Sequence, residues 1–238
     1  MTDRKWNVKS KIWYAARMDS TPRLTRTKLT PKGEQTRQRI VAAAALLMFE
    51  RGVASTTIED VKSAANVSSS QLYHYFSDKD ALVRAVIERQ TDTIVGGAEA
   101  TWGNLDSLQG LRAWRDFVVD IEHQRCCIGG CPLGSLGSAL AEIDSPARAQ
   151  IAVSFNRWAA AIQGGLRTMH ARGQLIPEAN PDDVALATLA ALEGGLLLSQ
   201  IQRTTQPLET ALDAMLTLIG FLTTPAPALQ GKAAEEAP

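Results

Sequence analysis

Helix punctuation is the feature that most narrows what this chain can fold into. Capping residues followed by Pro or acids recur along it, each opening a stretch whose apolar residues return every three or four positions. Runs alternating with the strand period of two are missing, and Ala and Leu, both strong helix formers, dominate. The signals predict an all-α chain of about nine helices. The first runs from Pro31 to Arg51, with Ile40, Ala43, Ala44, Leu47 and Phe49 on its apolar face and Gly52 at the stop. Thr57 caps the second, which ends near Asn66, and Ser68 caps the third. Ser77 with Asp80 reads as the cap of a longer fourth helix that turns Leu82, Val83, Val86 and Ile87 inward. Asp106 or Ser107 opens a fifth, ending near Arg125, and a short sixth follows Pro132 and ends near Ile143. Ser145-Pro146 opens a seventh that stops at Gly173, Asn180-Pro181-Asp182-Asp183 the eighth, and Pro207 the ninth, ending near Leu222.

Charge divides the chain. The formal net charge is zero, yet residues 1–85 hold 15 Lys and Arg against 8 Asp and Glu, and residues 86–238 hold 10 against 17. The first part suits a polyanion and the second does not. Residues 1–30, with eight Lys or Arg and no steady hydrophobic period, read as a flexible basic arm in which Met18 is a second candidate start. Residues 224–238 are rich in Pro and Ala, have little to bury, and are expected to be disordered. Between these ends the helices divide into a smaller first unit, 31–77, and a larger unit, 78–223. No apolar run approaches the roughly 20 residues that cross a bilayer. No apolar segment follows the N-terminal charges as in a signal peptide. The expectation is a cytoplasmic protein with no membrane partner.

Two short helices joined by Asn66-Val67-Ser68 have the form of a helix-turn-helix. A reading helix must expose small polar residues at its leading end to enter a major groove about 12 Å wide. Ser68, Ser69, Ser70 and Gln71 supply them: Gln can make a paired contact to adenine, and Ser reaches bases or phosphates. Leu72 and Phe76, four apart, share the face that anchors the helix, which turns Tyr73 and His74 toward the groove walls and their phosphates. Tyr75 reads equally well as core or surface.

The segment from Val67 to Leu82, with Gly52 and Thr56-Thr57-Ile58-Glu59-Asp60-Val61 upstream, resembles the TetR family of transcriptional repressors. The resemblance implies that Thr57 caps the second helix beside the DNA backbone, that Ser68 to Gln71 lead into the groove, and that Tyr73, His74 and Lys79 contact phosphate. Ser69 and Ser70 stand where many members have Lys and Gly. That departure implies a changed base preference and weaker phosphate contact, which the basic arm would offset through phosphate or minor-groove contacts.

The acidic part spreads its large aromatics thinly: Trp102, Trp114, Phe117, Phe155 and Trp158. Trp114 with Phe117 and Phe155 with Trp158 are pairs three apart, which either line an apolar cavity between helices or pack as plain core. The stretch Cys126-Cys127-Ile128-Gly129-Gly130-Cys131-Pro132-Leu133-Gly134 stands out, and its second half resembles a segment of one subset of TetR-like regulators, some of which respond to electrophiles or oxidants. Three readings stay open. The thiols are inert and buried; or Cys131 is a reactive sensor whose pKa the adjacent Gly residues and a helix N-terminus lower; or His123, Cys126, Cys127 and Cys131 hold zinc, on a spacing that matches no standard ligand pattern. Trp114, Phe117, Cys131, Phe155 and Trp158 are the candidate effector-binding residues, with no metal or cofactor assigned, and a structural disulfide is not expected in the cytoplasm. The resemblance further implies that the last two helices, carrying Leu189, Leu192, Leu196, Leu212 and Leu216, pack against a twin as a four-helix dimer interface.

No nucleophile elbow, zinc-protease helix or phosphate-binding Gly loop is present, and His74, His123 and His170 lie far apart, so an enzyme is not expected. The expected function is a ligand-responsive repressor. It binds double-stranded operator DNA of palindromic sequence as a homodimer and is released by a small hydrophobic or electrophilic effector. Residues 78–104 would act as the lever between reading heads and sensor. A helical scaffold or partner-binding protein is the competing reading, and it would bind with strong salt dependence and no sequence preference.

Overall fold

A computed structural model describes residues 29–96 and 105–223. The basic arm up to residue 28, Trp102, the far end of the expected lever and the tail 224–238 lie outside the described residues. Within them there are nine α-helices, and the strand-like pairing is an isolated Leu175–Thr223 bridge. We number the helices α1 (Pro31–Arg51), α2 (Ile58–Ala65), α3 (Ser69–Tyr75), α4 (Lys79–Thr91), α5 (Leu108–Gln124), α6 (Pro132–Leu140), α7 (Ser145–Ala171), α8 (Pro181–Gln202) and α9 (Gln206–Phe221). One π-helical turn, Asp92–Gly96, extends α4.

Most of the helices start where a side-chain oxygen can receive an orphan amide. Thr30 Oγ1 accepts from Gly33 N at 3.1 Å at the head of α1. Thr57 and Asp60 form a reciprocal capping box on α2, and Asn66, in the left-handed conformation at φ 50°, ends it. At two starts the cap is an acid beside the expected serine. Asp78, not Ser77, caps α4, its Oδ1 accepting from Ala81 N at 2.6 Å while the Ser77 hydroxyl donates to Oδ2. Asp144, not Ser145, caps α7 through Ala147 N at 2.8 Å. A carboxylate makes the stronger, charge-assisted bond and takes the position from its neighbour.

One continuous core runs through the molecule. Ile40, Ala44, Leu47 and Met48 of α1, Val61 and Ala65 of α2, and Leu72 and Phe76 meet in the first three helices, with Leu82, Val83, Val86 and Ile87 of α4 beneath them. Helix α4 packs on α1 on one side and on α7 and α6 on the other, so it is the physical bridge between the two parts. A buried bond from Thr91 to Ser154, 2.6 Å between hydroxyl oxygens, fastens its end to α7. Helices α8 and α9 make the most extensive packing in the chain, and α8 also lies along α7. Gly195 permits this: a Cβ there would stand 2.8 Å from Leu208 Cα of α9. Against the sequence expectation, α8 is long and apolar enough to cross a membrane by length and composition. Here it serves as a bundle helix, buried along one side and exposing Leu186, Leu197, Leu198 and Ile201 on the other.

Candidate nucleic-acid interface and sensing half

Helix α3 is held from one side only. Leu72 is fully buried and Phe76 nearly so, with the Arg37 guanidinium over the Phe76 ring at 5.7 Å. Tyr75 apart, everything else on the helix faces out. Ser68, Ser69, Ser70, Gln71, Tyr73 and His74 are exposed, Tyr73 at 55%. Tyr75 is half-buried and packs on the core, with the His74 ring edge-on to it at 4.9 Å. Thr57 is exposed at the start of α2 and Lys79 is partly exposed at the start of α4. The DNA-facing set expected from sequence, Thr57, Ser68–Gln71, Tyr73, His74 and Lys79, therefore stands on or at the ends of α2, α3 and α4. Its α3 members are all exposed on a helix anchored through Leu72.

The hydrogen bonds at the head of α3 refine what this face can read. The Ser68 amide donates to Gln71 Oε1 at 2.9 Å, the Gln71 amide donates to Ser68 Oγ at 3.2 Å, and the hydroxyls of Ser68 and Ser70 bond each other at 2.9 Å. Because the partner of the Gln71 carboxamide is a backbone N–H, its oxygen is the atom turned inward and only Nε2 is left outward. A paired contact to adenine needs both atoms. In this arrangement Gln71 is a donor alone, suited to acceptor edges such as the N7 and O6 of guanine. Ser69, Tyr73 and His74 are not part of the cap.

In the sensing half the aromatic pairs divide by depth. Trp114 and Trp158 are buried, while Phe117 and Phe155 are half-buried, Phe155 stacking parallel to Trp158 at 6.4 Å between centroids. Trp114 and Trp158 belong to the core and Phe155 packs against it. An open groove of about 700 Å³ lies elsewhere, between α5 and α9, where Arg112, Asp116, Leu216, Thr217 and Phe221 line it beside the bidentate Arg115–Asp213 pair (both bonds 2.8 Å).

The cysteine stretch is a tight turn followed by a cap. Cys126, Cys127, Gly129 and Gly130 all have positive φ, and Cys131 is the N-cap of α6, its sulfur accepting from Gly134 N at 3.3 Å. Cys131 and Cys127 are buried and Cys126 is exposed. Of the three readings of the thiols, the one that lowers the pKa of Cys131 is overturned. Burial pushes the thiol well up, the facing Glu193 carboxyl adds to this, and the bonds from the Gly134 and Leu133 amides offset only part of it. Glu193, on α8, is itself raised to about 7 by burial. Among the described residues no three His, Cys, Asp or Glu side chains are grouped as a metal site, so His123 and the three cysteines do not form one.

The expected dimer residues also separate. Leu189, Leu192, Leu196 and Leu212 are buried inside the protomer and Leu216 is partly exposed at the groove. The outward apolar residues are one step around each helix: Leu186, Leu197, Leu198 and Ile201 on α8, Leu218 and Phe221 on α9. Two apolar faces on α8 made the sequence ambiguous, because both repeat every three to four residues. Gly194 was the available clue, with open space where its Cβ would point.

These two halves match two family models. Residues 40–86 match the N-terminal model of bacterial regulatory proteins of the tetR family, and residues 107–215 match the tetracyclin repressor-like C-terminal domain. The transcriptional regulator AcuR of Cereibacter sphaeroides is 24% identical over 191 residues, 79% of this chain and 87% of AcuR. A TetR transcriptional regulator of Chloroflexus aurantiacus superposes with a TM-score of 0.72 at 26% identity, over 83% of this chain and 100% of that one. The reduced form of Escherichia coli NemR has the same fold, with a TM-score of 0.68 at 20% identity over 80% of this chain and 98% of NemR. The chain belongs to the TetR family: it is a transcriptional regulator, not an enzyme, with a helix-turn-helix DNA-binding domain followed by a ligand-binding domain.

Proposed function

We propose that this protein is a dimeric, effector-released repressor of a palindromic operator, working in the cytoplasm. The reading head is residues 31–77 and the sensing and pairing unit 78–223. The observation that carries the reading is that α3 is anchored by Leu72 and Phe76 while its polar face stands free. One such helix offers too few base contacts for selectivity, so two heads on a twofold axis are needed. The apolar face of α8 and α9 left outside the protomer supports that axis: Leu186, Leu197 and Ile201 repeat along α8, with Gly194 where two helices can approach closely. On the DNA, Ser69 and Gln71 meet base edges, and Thr57, Tyr73, His74 and Lys79 meet phosphates. A small effector in the sensing half favours a state with wrongly spaced heads, so that DNA and effector weaken each other's binding by a typical coupling of about 1–3 kcal/mol.

Selection of bound sequences from a randomised duplex library tests this. The expected product is an inverted repeat with half-sites about one helical turn apart. Recovery of sequences without symmetry, or binding that follows salt alone, would point to the scaffold reading instead.

A further inference from the structure

The Cys126–Cys131 turn has no part in DNA reading, yet it meets α1, α5 and α8. Its backbone turns through four residues of positive φ: Cys126 at 52°, Cys127 at 53°, Gly129 at 95° and Gly130 at 60°. Its first amides are used up on the end of α5, Cys126 N donating to His123 O and Cys127 N to Glu122 O. Three side chains of α8 or its C-cap then close on it. Arg203 Nη1 donates to Cys127 O at 2.8 Å. A Cβ on Gly130 would stand 2.5 Å from Gln200 Oε1, and one on Gly134 would stand 2.6 Å from Glu193 Oε2. The fourth contact comes from the other end of the molecule. Gly129 lies so close under the Phe49 ring of α1 that a Cβ would fall on the ring itself. Phe49 is the single aromatic of α1 and only half-buried, outside the buried core of its own domain.

We propose that this turn is the seat of the reading head. Phe49 resting on Gly129 fixes where α1, and with it α3, stands relative to α8, whose outer face joins the two protomers in the reading above. Helix α4 tethers the head; the turn sets its height and tilt. Cys126 and Cys127, two non-Gly residues in the left-handed conformation, are held there by the bonds to α5 and α8, as such a conformation requires. Gly at position 129 follows from the same contact, since both the φ and the ring forbid a side chain. Phe49 and Gly129 are therefore positioning residues for operator binding, without touching DNA.

The inference rests on the dimeric reading, and one experiment separates the two. The full-length protein is titrated with the duplex selected from the randomised library and with versions carrying one base pair more or fewer between half-sites. Wild type is expected to prefer the selected spacing by about tenfold, within the ordinary range of coupling effects. Phe49→Ala is expected to collapse that preference to about twofold or less while leaving affinity for random duplex unchanged. Gly129→Ala is expected to shift the preferred spacing, and Phe49→Ala added to it to remove the shift. A spacing preference that survives intact in Phe49→Ala, or an equal loss on every duplex, overturns the seat alone. No spacing preference in the wild type overturns the dimeric reading and the seat with it. Phe49→Leu, with thermal unfolding measured alongside, keeps the test valid if the alanine variant folds poorly.

Discussion

In the reading head, each helix start is closed by a side chain three residues or fewer from the amide it serves: Thr30 to Gly33, Thr57 to Asp60, Ser68 to Gln71. In the sensing half, the bonds that hold the bundle span 63 residues from Thr91 to Ser154, 76 from Cys127 to Arg203 and 98 from Arg115 to Asp213. The head is local chemistry repeated; the bundle is long-range packing. This difference teaches where function can be read. A helix whose buried face is named by two residues, Leu72 and Phe76, has only one possible outward face. A helix apolar nearly all round, such as α8, has several.

The sharpest way to break the comparison is at that ambiguous helix. Leu197→Arg with Ile201→Arg is expected to leave the protomer folded but monomeric by light scattering. Operator affinity should then fall roughly a thousandfold, toward the non-specific level. Leu192→Ala, one face away, is expected to do the reverse, costing about 2–5 kcal/mol of stability in chemical denaturation with the dimer retained in the folded fraction. On the head, Tyr73→Ala with Lys79→Ala is expected to weaken binding by roughly 10–100-fold with helix content unchanged and a shallower salt dependence, as lost phosphate contacts require.

Glu193 sharpens the contrast from the sensing side. Its pKa is raised by burial to about 7 in the fold, from 4.5. The folded state therefore holds its proton more tightly than the unfolded one. Stability is full below pH 4.5, declines as pH rises from there through about 7, and is level above. Glu193→Gln is expected to remove that decline and raise stability at pH 8 by on the order of 2–3 kcal/mol, measured by urea melts at pH 5 and 8. The smallest effect is local. Ser68→Ala removes the hydroxyl that accepts from the Gln71 amide and caps α3, and is expected to cost about 1 kcal/mol in chemical denaturation, while the Ser68 amide that holds Gln71 Oε1 stays in place.

Much of the fold was readable in the sequence because capping is a short-range code. Thr57, Ser68 and Asn180 cap as read, Ser107 is the one of two candidates that caps, and the two differences, Asp78 for Ser77 and Asp144 for Ser145, are each one residue wide. The exposure of Tyr73 and His74 followed from Leu72 and Phe76 alone. What was not readable depended on partners far along the chain. An activated Cys131 was one of the readings its own helix allowed, and burial under distant parts of the chain, with the carboxyl of Glu193, 62 positions away, adding to it, turns its pKa the other way. Leu192 and Leu197 are alike in sequence, and only the placement of α7 and α9 decides which is core. The contact of Phe49 with Gly129 had no sequence signal beyond a glycine in an odd stretch.

Hydroxyl-radical footprinting of the full-length protein on its selected duplex tests the central claim most directly, since it reports both the exposed reading helix and its duplication. The account predicts two protected patches on one side of the duplex, centred about 34 Å apart, and their joint loss in the Leu197→Arg, Ile201→Arg variant. A single patch in the wild type, or two patches that persist in the monomeric variant, would contradict it.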